Sequence, residues 1–341
     1  MKVLMKKKIF LFLQLLFSIL LLFLIISKYN ISLLKIKFSN PGWVLLSLIL
    51  SIFVIPVLAA FRWKIFLKYS GIAENIISLL KINFISIFWG IFLPTSDGFG
   101  AIRMIQIENR HSEKTGISGS SIVLEKIFGF ISLCFLGLIG SYVLGDFKSM
   151  RLTRIILLVM MLFSIFILLS ISNKKFSNLL LPFFERIKIF RKVVDYLIRM
   201  HSSLTIFPYK KAVFRVFPII FIFQILTFLN VLFLFRAMNI NIPVFYHLAA
   251  VPIIQLISLI PLSISGLGIR ESAFVFFYGL LGIDPANSFQ VSILNFLIMT
   301  GIPAFIGGLI SIFPKIRKII FAGNTPKFSE TSKIGKNKNF L

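Results

Sequence analysis

The sequence predicts an all-α integral membrane protein: about six transmembrane helices and two re-entrant, broken-helix hairpins arranged as an inverted repeat. Three observations predict it. The chain is 58% hydrophobic with 41 Phe and a mean hydropathy of +0.97, more apolar surface than a soluble chain of 341 residues could hide. It holds uncharged runs long enough to cross a hydrocarbon core of about 30 Å as helices. Two interrupted apolar segments also repeat one another at corresponding places in its two halves, which is the best sequence pointer to a transporter's binding site.

Taken in order, residues 9–27 form an uncharged run behind the basic Lys2, Lys6, Lys7 and Lys8. The run is long for a cleaved leader, and Ile26-Ser27-Lys28 offers no small-x-small cleavage site, so it reads as an uncleaved signal anchor. Runs 38–61, 127–145, 155–173 and 216–235 are further candidate spans. Runs 237–269 and 285–314 are longer than one span needs; neither carries Lys, Arg, Asp or Glu, and Arg236, Arg270, Asp284 and Lys315 flank them.

The first interrupted segment reads Leu93-Pro94-Thr95-Ser96-Asp97-Gly98-Phe99-Gly100-Ala101-Ile102-Arg103. The second reads Ile260-Pro261-Leu262-Ser263-Ile264-Ser265-Gly266-Leu267-Gly268-Ile269-Arg270. In each, an apolar residue precedes Pro, a Gly-x-Gly follows, and an Arg closes the motif; the Gly-x-Gly is shifted by one residue between the two. Pro94, Gly98 and Gly100, and Pro261, Gly266 and Gly268, are the expected breaks.

Basic residues fix the topology. With residues 1–8 in the cytoplasm, 29 of the 37 Lys and Arg lie on that side and 8 on the other, but only if neither motif segment crosses. Segment 82–103 is then expected to enter from and return to the cytoplasm, and 244–282 to do the same from outside. Both termini and segment 174–215 are expected in the cytoplasm of a cell whose membrane the chain spans repeatedly. The repeats, about 43–145 and 216–313, acquire opposite orientations within a single polytopic domain, 1–320. In the connecting segment, Ile187, Phe190, Val194 and Leu197 share one helical face, while Arg186, Arg191, Lys192, Asp195 and Arg199 cover the rest, as in an amphipathic helix at the cytoplasmic interface. Residues 321–341 read as a disordered basic tail. The net charge of +26 is explained by this topology and by anionic lipid headgroups, not by nucleic acid.

Charged groups at membrane depth cost about 2.5–3.5 kcal/mol each by insertion scales, which singles out Arg103, Glu125, Arg270, Glu271 and Asp97 as the candidate site. The plain reading is that the arginines reach the interface and Glu125 pairs with Lys126 or another cation there. The functional reading is that the arginines hold an anionic headgroup through bidentate contacts to phosphate, aided by N–H groups at half-helix N-termini. His111, His201 and His247 lack metal-ligand spacing, the lone Cys134 excludes an intrachain disulfide, and no Walker pattern or catalytic triad is present. No metal, cofactor or catalytic residue is expected.

Phe92-Leu93-Pro94-Thr95-Ser96-Asp97-Gly98-Phe99-Gly100-Ala101-Ile102-Arg103, Val123-Leu124-Glu125-Lys126-Ile127-Phe128-Gly129 and the stretch from Ile260 through Gly268-Ile269-Arg270-Glu271-Ser272-Ala273 resemble the transmembrane region of lysylphosphatidylglycerol synthase/flippase proteins. The resemblance covers roughly residues 10–315 and implies a domain that moves a charged lipid between leaflets, here as a stand-alone member without the soluble synthase domain. Two departures bear on the cargo. The family's first motif commonly reads Gly-Gly-Asp-x-x-Arg, where this chain has Phe99 and Gly100 and carries its acid earlier as Asp97; the family's Glu-Arg pair is Glu125-Lys126 here. The expected function is a flippase-like translocase handling an anionic phospholipid or a polyprenyl-phosphate-linked lipid, with membrane lipids as partners. The rival expectations are a multi-pass membrane glycosyltransferase and a non-transporting accessory subunit of envelope lipid or glycan synthesis.

Overall fold

The structure, a computed structural model, describes residues 2–29, 38–93, 98–114, 116–144, 150–173, 191–260 and 262–312. Pro94, Asp97, Pro261, segment 174–190 and the tail from 313 lie outside the described residues. The described chain is helical and without strands. Its helices are α1 (Lys2–Tyr29), α2 (Pro41–Tyr69), α3 (Ile76–Ile91), α4 (Gly98–Arg110), α5 (Ile117–Val143) and α6 (Met150–Ser172). After them come α7 (Arg191–Ile206), α8 (Tyr209–Ala237), α9 (Val244–Ser258), α10 (Ile269–Gly279) and α11 (Pro285–Ile312).

Local chemistry sets the boundaries. Asn40 caps α2 by accepting from the Gly42 N–H at 3.2 Å, with Pro41 in the first turn. Asn75 does the same for α3, accepting from Ile77 N at 3.1 Å. α5 starts after Gly116, whose φ of 92° suits glycine alone. Among the described residues, five helices are long and apolar enough to cross a membrane: α2, α5, α6, α8 and α11. They coincide with five of the expected spans; the sixth, 9–27, falls in α1, whose described apolar stretch is Leu13–Tyr29. The all-α membrane architecture read from the sequence is therefore the architecture of the molecule.

Two of the long helices carry a single π turn, Leu50–Val54 in α2 and Leu297–Gly301 in α11. Such turns bend a helix and collect at functional sites. These two touch each other at the middle of the molecule, where Ser51 Oγ lies 3.1 Å from Met299 Sδ.

The packing of the two halves is reciprocal. α3 and α4 pack together across the first motif, and α9 and α10 across the second, yet α3 packs most extensively on α11 and α9 on α5. Both cross-contacts are floored by glycine. A Cβ at Gly307 would stand 1.9 Å from the Phe84 carbonyl oxygen, and one at Gly140 would stand 2.7 Å from the Ala249 nitrogen. Small residues allow this backbone approach, which in lipid replaces the hydrophobic effect as the source of helix association. α2 and α8 meet between the two pairs, where Asn230 accepts from Ser47 Oγ at 2.6 Å and donates to Asn295 Oδ1 at 3.1 Å.

α6 lies at the edge, burying the stripe Thr153, Leu157 and Ser164 and exposing Leu162, Phe163, Phe166 and Leu169, as a helix with lipid on one side should. α7 carries the C-terminal part of the expected amphipathic segment. It packs on α5 and α6, and the Tyr196 hydroxyl lies 2.9 Å from Glu108 Oε1 at the end of α4. Burial, and then the neighbouring Glu108 carboxylate, raise the Tyr196 pKa, so the hydroxyl keeps its proton and donates it.

Candidate functional site: an arginine-walled cavity

A cavity of about 280 Å³ opens between the two motifs, with walls from α2, α3, α4, α8, α10 and α11. Its charged wall residues are Arg62, Arg103 and Arg270; its neutral polar ones include Ser51, Asn83, Ser265 and Thr300. No Asp or Glu is among the described residues that line it.

The motifs build this wall by backbone shape. Gly90 lies in the last turn of α3 and Gly98 opens α4, and the two touch so closely that a Cβ at Gly98 would lie 2.6 Å from the Gly90 oxygen. Any larger residue would push the start of α4 off α3. Gly100 is different: a Cβ there meets only ordinary contacts at 3.5 Å. In the second motif, Ser265, Gly266 and Gly268 have φ of 51°, 73° and 85°. Ser265, on the cavity wall, thus holds a left-handed conformation that non-glycine residues rarely adopt. This turn aims the N-terminus of α10, and Gly268 packs against Ser18 and Leu21 of α1.

Each guanidinium is fixed on two sides. Arg103, 3% exposed, places Nη2 2.6 Å from Glu125 Oε2, and Arg62 places Nε 3.0 Å from Glu125 Oε1. One buried carboxylate therefore bridges two arginines from different helices. Arg270 places Nε 3.0 Å from Glu271 Oε1, its Nη2 contacting the same oxygen. Glu271, fully buried, also accepts the Gly268 N–H at 2.6 Å and the Ser292 hydroxyl at 3.2 Å. Aromatic rings cover one face of each cation: Trp63 at 3.9 Å from Arg103, Phe223 at 4.4 Å from Arg62 and Phe296 at 4.5 Å from Arg270.

Of the candidate residues, then, Arg103 and Arg270 reach one cavity, while Glu125 and Glu271 stand behind them as counter-ions. Asp97 lies outside the described residues. Of the cations the plain reading allows, Glu125 pairs with Arg62 and Arg103, while Lys126 Nζ sits 4.4 Å from the Phe99 ring centroid.

Arg62 and Asn83 were not found from the sequence. Arg62 follows run 38–61 directly and counts there as the first residue of a cytoplasmic segment, but α2 continues to Tyr69. Asn83 is a lone polar residue among the apolar positions of α3, which is the signal that was available. Three guanidinium groups against two carboxylates leave this set with one excess positive charge. Two buried donors, Asn83 Nδ2 and Arg103 Nε, have no acceptor among the described residues. Surplus positive charge on a cavity wall favours an acceptor-rich anion over a cation there.

The family described as Lysylphosphatidylglycerol synthase TM region matches residues 11–307. A UPF0104 membrane protein of Methanocaldococcus jannaschii is 24% identical over 289 residues, covering 79% of this chain and 84% of that protein. No solved structure matches.

Proposed function

This chain belongs to the family of the lysylphosphatidylglycerol synthase transmembrane region, and from that premise we propose that it is a lipid translocase whose central cavity takes up an anionic headgroup, of a phospholipid or a polyprenyl-phosphate-linked lipid, while the hydrocarbon stays in the bilayer. The observation that carries the reading is the convergence of Arg62, Arg103 and Arg270 on one cavity with no acid on its described wall. Three cations at membrane depth are costly, and two carboxylates offset only part of that cost. A phosphate completes the set, because guanidinium edges match its oxygens.

In this reading the two motif hairpins are re-entrant, the halves are inverted repeats, and both termini face the cytoplasm of the cell membrane. The reciprocal packing of α3 on α11 and α9 on α5 supports a two-fold relation between the halves. The basic distribution supports the orientation. The chain acts by binding and moving lipid without bond-making chemistry. The glycosyltransferase alternative has less support among the described residues, since it asks for a carboxylate free to act as a base, and Glu125 and Glu271 beside the cavity are each bound by arginine.

The test is lipid translocation in proteoliposomes, with folded yield checked by size-exclusion chromatography. Arg270→Ala is expected to abolish most transport with little loss of folded protein. Arg270→Lys is expected to restore only part of it, because an ammonium group cannot reproduce the planar fork. Full activity of Arg270→Ala would overturn the headgroup reading.

A further inference from the structure

Resting on the anionic-headgroup reading, we infer that Tyr196 on α7 is a positioning residue of the cavity: its hydroxyl, seated between α4 and α5, sets where Arg103 stands and so how tightly the headgroup is held. Tyr196 is not among the described residues that line the cavity. It acts through α4.

The slot that receives the hydroxyl is built from both helices. On α4, Met104 and Glu108 are four residues apart and share one face. The Tyr196 hydroxyl lies 2.9 Å from Met104 Sδ and donates to Glu108 Oε1 at 2.9 Å. On α5 the opposite wall is Gly119, where a Cβ would overlap the Tyr196 oxygen and stand 3.4 Å from Met104 Sδ. The hydroxyl therefore fits only because α5 presents a glycine. Glu108 Oε1 is also tied to the start of α5, accepting the Gly116 N–H at 3.0 Å and the Ser118 hydroxyl at 2.7 Å.

Arg103 precedes Met104 by one residue, so it points about 100° around the helix axis from the Tyr196 contact, toward Glu125 and Trp63. Within the hairpin, α4 is pinned to α3 by Gln106 Nε2 donating to Ser86 Oγ at 3.2 Å. Tyr196 holds it from outside the hairpin. Without the hydroxyl, a gap opens between α4 and α5, and any turn of α4 that closes it carries the guanidinium with it. The 2.6 Å contact of Arg103 with Glu125 tolerates little such rotation. A separate α7–α5 contact, Ser203 Oγ at 2.9 Å from Ser120 Oγ, bypasses α4. It supplies the comparison that separates positioning of Arg103 from simple docking of α7.

The experiment uses the full chain in phosphatidylcholine nanodiscs, each variant taken as its monodisperse fraction. Trp63, whose ring lies 3.9 Å from the Arg103 guanidinium carbon, is made the sole tryptophan by Trp43→Phe and Trp89→Phe. Its fluorescence then reads the position of Arg103 without any ligand. Tyr196→Phe is expected to move the Trp63 emission toward that of Arg103→Gln, and Ser203→Ala to leave it unchanged. Gly119→Ala, which fills the slot from the other side, is expected to act as Tyr196→Phe does. Binding of phosphatidylglycerol is then measured as a double-mutant cycle. Tyr196→Phe is expected to weaken it about five- to tenfold with Arg103 present and less than about twofold in the Arg103→Gln background, because a residue that acts through Arg103 has nothing left to act on. Trp63 emission unmoved by Tyr196→Phe would overturn the inference, as would equal loss of binding in both backgrounds or an equal effect of Ser203→Ala on the emission. Binding of phosphatidylglycerol by no form of the chain would instead defeat the headgroup reading, while the Trp63 emission still decides whether Tyr196 positions Arg103.

Discussion

The two halves of the molecule hold a buried arginine–glutamate pair apiece, and they hold it in different ways. In the first half, Glu125 on α5 is tertiary: its partners come from α2 and α4, and nothing in its own helix explains it. In the second half, Glu271 is local. It follows Arg270 in the chain, accepts the Gly268 N–H as the third residue of its helix, and takes one tertiary hydrogen bond, from Ser292. The same ion pair is a helix cap in one half and a bridge between helices in the other. A cap survives if neighbouring helices move; a bridge does not. The first half is thus the one whose cavity wall depends on three helices holding their positions.

That contrast has its largest expected effect in the carboxylates. Glu125→Gln leaves Arg62 and Arg103 close together with their shared counter-ion gone, and breaking a buried pair in this way costs roughly 3–5 kcal/mol. Glu271→Gln leaves one arginine, and the amide oxygen still accepts the Gly268 N–H, so the loss should be smaller. Thermal unfolding in detergent should rank wild type above Glu271→Gln above Glu125→Gln; the reverse order of the two variants would break the distinction between cap and bridge.

Glycines of the first motif give the next effect. Gly98→Ala forces backbone apart at the α3–α4 contact and should destabilise by about 1–3 kcal/mol. Gly100→Ala adds a methyl group where there is room and should lie within about 0.5 kcal/mol of wild type. Equal losses at both would mean that α4 is positioned by something other than its contact with Gly90.

The smallest effect belongs to Ser292→Ala, which removes the single tertiary hydrogen bond of Glu271. The expected loss is about 0.5–1.5 kcal/mol, with lipid binding retained. A loss as large as that of Glu125→Gln would show that the second pair is tertiary after all.

Much of this was legible because lipid imposes simple rules. Uncharged runs gave α2, α5, α6, α8 and α11, since each must satisfy its backbone internally. Arg103 and Arg270 stood out because charge is rare in such runs. What stayed hidden was of two kinds. Arg62 was hidden by a boundary: the end of an uncharged run was taken for the end of a span, while packing carries α2 on to Tyr69. Run 127–145 likewise stops short of α5, which begins at Ile117 and so carries Glu125 within it. The partner of Glu125 was hidden because pairing across helices is a three-dimensional fact, with Arg62 lying 63 residues away in the chain. The facing π turns have no sequence signature, and Asn83 is one asparagine among apolar neighbours.

The glycine floors under the α3–α11 and α9–α5 contacts bear on mechanics. A helix interface normally keeps its register because side-chain knobs sit in holes, and moving along it means climbing out of one hole and into the next. At Gly307 there is no knob, only backbone against backbone, and at Gly140 the glycine meets the Ala249 nitrogen and the Leu248 Cβ. Such a contact resists separation but offers little resistance to gliding along the helix axis. Relative motion of the halves should therefore run as shear along these two contacts and not as a hinge.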